Sequence, residues 1–131
     1  MKAETTLLGH PIAARAQWLD SGLDVSVFGG VRTHVGAVTL AEPEGTEHTL
    51  ERTGHRDAAV SRPWALSLAA SLAVPVCVRC GIHYDHATKD QIAQILAVCN
   101  GLLAELTDRL LEDQAASKTS ATAHQNPATS G

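Results

Sequence analysis

The feature that most limits how this chain can fold is an apolar stripe toward its C-terminal end. Ile92, Ile95, Leu96, Cys99, Leu102, Leu103, Leu106 and Leu110 recur at three- and four-residue spacing. That period puts all eight on one face of an α-helix, and a helix with such a face must pack against something. Thr88 and Gln91 have the spacing of a capping box, in which each side chain serves the other residue's backbone N–H. A helix is therefore expected from about Thr88 to about Asp113. At about 1.5 Å per residue it reaches roughly 40 Å, more than a small domain needs for its own core. Its far end, through Leu106 and Leu110, is expected to pack on a second copy and make a homodimer.

The partner surface for this helix lies upstream. Alternating segments predict strands at about 12–20, 23–29, 34–41 and 46–53, separated by Ser21-Gly22, Gly29-Gly30 and Pro43-Glu44-Gly45. Such short turns imply antiparallel neighbours. Residues 74–82, VPVCVRCGI, are apolar on both faces except at Arg79 and read as the central strand. Between these strands a first helix is expected. Pro63 would remove an intrahelical hydrogen bond if that helix began as early as Asp57, so its start is placed near Ser61, or the helix is kinked. The fold class is α+β, a mainly antiparallel sheet with two helices packed on one face.

With 131 residues, 44% of them hydrophobic, the chain suffices for one core and is short for two. Residues 1–114 are read as a single domain. From Ala115 onward Ala, Ser, Thr, Gln, Asn and Pro replace the apolar periodicity, so residues 115–131 are expected to be a disordered tail. A net charge of −4 lacks the basic footprint that nucleic acid demands. No apolar run approaches the roughly 20 residues of a membrane span, and the N-terminal segment does not read as a secretory signal. A cytoplasmic protein with its three cysteines reduced is expected.

Cys77-x-x-Cys80 has the spacing of a zinc knuckle or a redox pair. In a strand, however, residues three apart point to opposite faces, which predicts two separate small hydrophobes and no metal site there. Three of the seven histidines lie beside glycines at predicted strand ends: Thr33-His34-Val35-Gly36, Gly54-His55-Arg56-Asp57 and Gly81-Ile82-His83-Tyr84-Asp85-His86. Strand ends are where sites on sheets form, so a shared pocket is expected, although each histidine alone also reads as a turn or surface residue. Nothing in their spacing, such as HExxH, supports a metal site.

The segment from Gly81 to Lys89 leads from the central strand to a capped helix N-terminus, which favours an anion such as phosphate. Lys89 and Arg56 can add charge, Tyr84 a ring for stacking and Asp85 an acceptor. Gly29-Gly30 reads as a bulge or turn. Gly36, inside a predicted strand and on the face of His34, leaves room for a flat ligand.

VSVFGGVRTHVGAVTLAEP, TGHRDAAV and VPVCVRCGIHYDHATKDQIAQIL together resemble the prenylated-flavin chaperone proteins, the small D-type partners of gallate-type UbiD-like decarboxylases. The resemblance runs from about Ile12 to Leu110. It rests most on the GG-x-x-x-H-x-G-A, GH-[KR] and G-I-H-Y-D-x-x-T segments. It implies binding of prenylated FMN, the cofactor with which UbiD-type enzymes carboxylate and decarboxylate unsaturated or aromatic acids. It also implies a UbiD-like decarboxylase as partner, with a flavin prenyltransferase as a second candidate. The matching positions are Gly30, His34, Gly36, His55, Arg56, His83, Tyr84, Asp85 and Thr88, expected to bind the cofactor and not to catalyse. Pro63, Cys77 and Cys80 depart from the pattern without touching these residues.

Two other readings stand beside the carrier. A small enzyme could use His34, His55 or His83 as acid or base, because imidazole titrates near neutral pH. A structural subunit of a decarboxylase complex would hold no ligand. Lack of an evident nucleophile, acid–base pair or phosphate loop favours the carrier.

Overall fold

Alternation of apolar and polar side chains makes strands of residues 10–30, and the computed structural model shows which face they bury. The structure describes residues 1–124, as β1 (Lys2–Leu7), β2 (His10–Trp18), β3 (Leu23–Gly30), β4 (Ala37–Ala41), β5 (Glu47–Glu51), α1 (Ala58–Leu72), β6 (Val76–His83) and α2 (Lys89–His124). Ile12, Ala14 and Ala16 of β2 are buried, as are Val25 and Val27 of β3 and Val76, Val78 and Cys80 of β6. In register, Ala14, Val27 and Cys80 form one rung and Ala16, Val25 and Val78 the next, so one sheet face is a continuous apolar surface.

The strands form one six-stranded sheet in the order β1-β2-β3-β6-β4-β5. All pairings are antiparallel except β3 with β6. β6 is the interior strand expected from VPVCVRCGI. Its position corrects the expectation that β3 and β4 are neighbours across a Gly29-Gly30 turn. Gly30, at φ 85°, ends β3, and residues 31–36 then cross the end of β6 as a strap. The Val31 N–H bonds the His83 carbonyl at 2.7 Å and the Gly36 N–H the Cys80 carbonyl at 3.0 Å. A β3–β4 hairpin would have left the most apolar strand at an edge, with its backbone groups unpaired.

β1 is a strand that sequence analysis did not anticipate. KAETTL is polar, and its hairpin turns through Leu8 and Gly9, both at positive φ (52° and 79°), without the Asn-Gly or Asp-Gly usual in such turns. β1 supplies the surface on which the far end of α2 lies. Leu106 and Leu110 are fully buried within the chain, Arg109 donates to the Lys2 carbonyl at 2.6 Å, and Trp18 Nε1 donates to Asp113 at 2.9 Å. The reason given above for a second copy is thereby corrected: one further strand, β1, covers the far end of the stripe.

Both helices lie over the apolar face and share one core cluster with it. α1 begins at Ala58, earlier than Ser61, and continues through Pro63. Pro63 and Ala59, the residue whose carbonyl loses its partner, are both exposed, so water can serve the lost bond. Under α1 the buried Thr39 hydroxyl bonds Thr49 at 2.8 Å and Ser61 at 2.9 Å, fixing the helix on β4 and β5. α2 continues past Asp113 to His124, into the segment expected to be a tail. Ala115 and Ala116 are good helix formers, and residues 115–119 are exposed and outside the core cluster. Residues 125–131 of that segment lie outside the described residues.

Candidate functional site

Parallel pairing brings the C-terminal ends of β3 and β6 to one edge, with Gly30 opposite His83. The strap carries His34 across this edge and the start of α1 brings His55, Arg56 and Asp57 to it. The His34 and His55 rings have centroids 4.8 Å apart, and those of His34 and His83 are 6.3 Å apart. The three strand-end histidines expected to share a pocket do converge.

Asp57 is at their centre, and the sequence analysis did not select it. An aspartate one residue before a helix is ordinarily the N-cap, accepting a bond from the first turn. Here Asp57 makes no capping bond, and the Glu51 carboxylate accepts the Ala58 N–H at 2.8 Å instead. The Asp57 side chain turns inward, only 7% exposed. Its Oδ1 accepts the Ile82 N–H at 2.9 Å and lies 3.7 Å from Cys80 Sγ. Its Oδ2 lies 2.8 Å from His34 Nε2 and 3.9 Å from His55 Nδ1.

Two close approaches explain the glycines of the motifs. A Cβ on Gly36 would stand 1.7 Å from Asp57 Oδ2, and one on Gly81 would stand 1.6 Å from the His34 carbonyl oxygen. The space at Gly36 is therefore filled by the Asp57 carboxylate, which corrects the expectation that a flat ligand enters there. Both His34 and Gly36 precede β4, which begins at Ala37.

Beside this cluster lies a cavity of about 370 Å³, within the range of small-molecule sites. His34, His55, Arg56, Asp57 and His83 make its polar wall; Val60, Ile82, Ile92, Ile95 and Leu96 make its apolar one. No Ser, Thr or Cys lines it among the described residues. Four of the nine expected site residues, His34, His55, Arg56 and His83, thus line one cavity.

The other five are elsewhere. Gly30 backs onto the His83 carbonyl and Gly36 onto Asp57. Tyr84 is buried away from the cavity, its hydroxyl donating to the Leu7 carbonyl at 2.9 Å and lying 3.4 Å from that of His10. Thr88 and Gln91 form the capping box read from the sequence, which takes up the Thr88 and Gln91 N–H groups, and Thr88 does not line the cavity. Asp85 lies 2.8 Å from His83 Nε2 and 3.5 Å from Arg32, at the rim. The hydrogen bond with His83, aided by the charge of Arg32, holds its carboxyl below the usual carboxylate range.

The thiols stay protonated. Cys77 and Cys80 do face opposite sides of β6, Cys77 beside Arg79 and Cys80 among Val76 and Val78. Burial, then the Asp57 charge, pushes the Cys80 thiol far up and the Cys99 thiol up to about 12; burial and Asp24 raise that of Cys77. Among the described residues, no helix is long and apolar enough to cross a membrane.

Comparison with curated proteins finds no match. A family model, the prenylated flavin chaperone LpdD-like domain, matches residues 7–111, most of the chain and all of the cavity wall. An α+β sheet, convergent strand-end histidines and the GG, GH and G-I-H-Y-D segments all fall within that match, and the chain belongs to the prenylated flavin chaperone LpdD-like family.

Proposed function

We propose that the chain holds prenylated FMN in the cavity between its histidine cluster and α2, and carries it to a UbiD-like decarboxylase without catalysing a reaction itself. The observation that supports this most is the division of the cavity into two walls. A flavin is a flat apolar ring system with a polar edge and a charged phosphate. Ile82, Ile92, Ile95 and Leu96 suit the rings, and His34, His55 and His83 suit the polar edge. Arg56 lines the cavity and its guanidinium has no ion-pair partner among the described residues, so it is free to meet the phosphate.

When bound, the cofactor supplies the capacity to carboxylate or decarboxylate unsaturated and aromatic acids; the chain's residues bind and shield it. Half-exposed apolar side chains on the α2 wall fit a carrier, which must release what it holds. Cytoplasmic placement, a homodimer, and contact with the decarboxylase and a flavin prenyltransferase belong to the same reading. The half-buried His34–Asp57 pair favours a second one, a histidine-based enzyme with His34 as base.

Anaerobic titration with prenylated FMN, monitored by flavin absorbance, tests the reading. One cofactor per chain is expected, weakened roughly tenfold or more in Arg56→Ala and His83→Ala with little change in melting temperature. Equal affinity in wild type and both variants would overturn this assignment of the cavity. Conversion of a hydroxyaromatic acid by the purified chain would favour the enzyme.

A further inference from the structure

We infer that His34, His55 and Asp57 form a binding site for a divalent transition-metal ion of the zinc or cobalt class in the polar wall of the cavity. One ligating atom from each residue lies within 4.8 Å of the other two. A tetrahedral ion with bonds of about 2.0–2.1 Å separates its ligands by roughly 3.4 Å. The His34–Asp57 and His55–Asp57 separations of 2.8 and 3.9 Å bracket that value and the two imidazole nitrogens lie within 4.8 Å of each other, so small side-chain rotations bring the set into place.

Three further observations point to a cation. Asp57 is buried, and no lysine or arginine pairs with it among the described residues. A buried carboxylate needs a positive partner, and only the two imidazoles or an ion between them can supply it. Its orientation is fixed from behind, because Ile82 N–H holds Oδ1 and leaves Oδ2 for the ion, the outer support that metal-binding carboxylates commonly have. Finally, Asp57 leaves its capping role to Glu51, and Gly36 leaves open the volume that its carboxylate fills. Two imidazoles and one carboxylate suit zinc, cobalt, nickel or iron, whereas magnesium and calcium prefer oxygen ligands. All three residues line the cavity, so the ion's remaining position opens toward it.

The test is titration of the chelator-treated full chain with Co²⁺, then Zn²⁺, in the absence of any flavin. Visible Co²⁺ absorption saturating at one ion per chain and bleached by Zn²⁺ is expected. Asp57→Asn and His55→Ala should each weaken Co²⁺ binding tenfold or more, and His48→Ala, on β5, should not. If Asp57→Asn fails to fold, His55→Ala decides: that ring is 29% exposed and supports no backbone group. Absence of saturable binding in the wild type, or binding unchanged in His55→Ala, overturns the site. Because no cofactor is present, the result is read separately from the flavin titration.

Discussion

The two halves of α2 carry the same apolar stripe and meet different fates. Leu102, Leu106 and Leu110 are buried in the core where α2 packs on β1 and α1, whereas Ile92 and Leu96 remain 45% and 37% exposed beside the cavity. Periodicity is identical in both, so the difference comes from what lies beneath. Under the far half are complete rungs of small side chains, Ala3, Ala14 and Ala16. Under the near half the sheet has ended, and polar residues of the strap and the α1 start replace it. One half of the stripe builds the fold, and the other is apolar surface left for use.

The sharpest way to break this comparison is to shorten one leucine in each half. Leu106→Ala should cost about 3 kcal/mol of unfolding free energy, the transfer and cavity terms of a fully buried leucine. Leu96→Ala should cost less than about 1 kcal/mol yet weaken prenylated FMN roughly tenfold. Urea unfolding and flavin titration on the same samples give both quantities. Equal stability losses would mean that the two halves are one core.

A methyl group added at Gly36 sharpens the polar side of the comparison. Its Cβ would displace the Asp57 carboxylate, so Gly36→Ala should lose about 2 kcal/mol through overpacking. It should disturb the His34 and His55 NMR signals more than those of His48. Glu51→Ala should cost about 1 kcal/mol as a lost cap, with flavin affinity retained, because Glu51 and not Asp57 closes the start of α1.

The smallest effect is on thiol chemistry. Cys99 sits where the covered half of α2 begins. With its thiol pushed up to about 12 by burial and the Asp57 charge, it stays protonated at pH 8. Iodoacetamide should therefore label Cys77, the one cysteine only partly buried, well before Cys80 or Cys99, as peptide mass mapping would show. Fast labelling of Cys99 would mean that the buried half of the stripe begins further along the helix.

The legible features were those that rest on local periodicity. The stripe of α2, its capping box, the interior strand and the opposed Cys77 and Cys80 all follow from spacing within one element. What escaped depends on tertiary pairing. Nothing local marks β6 as the strand that separates β3 from β4, and the polar KAETTL becomes a strand through its partner β2. In the site, histidines beside glycines were visible as a pattern, and three of them converge. Asp57 was hidden because the helix start was placed near Ser61, and only Glu51, arriving from β5, takes the Ala58 N–H and leaves the Asp57 carboxylate to turn inward. Tyr84 was selected for its ring, but its hydroxyl reaches back to the β1–β2 turn.

The parallel pairing of β3 with β6 also governs how the molecule is made. Leu23 pairs with Val76, so closing this rung encloses roughly fifty residues of chain, a costly step compared with the hairpins on either side. His34, His55 and Asp57 all lie within the enclosed loop, and Ile82 and His83 arrive with the strand that closes it. A partly folded chain that has formed only its hairpins therefore possesses none of the cavity. The cavity is thus completed only by the long-range pairing, the step that chain topology predicts to be the slowest of those that build the sheet.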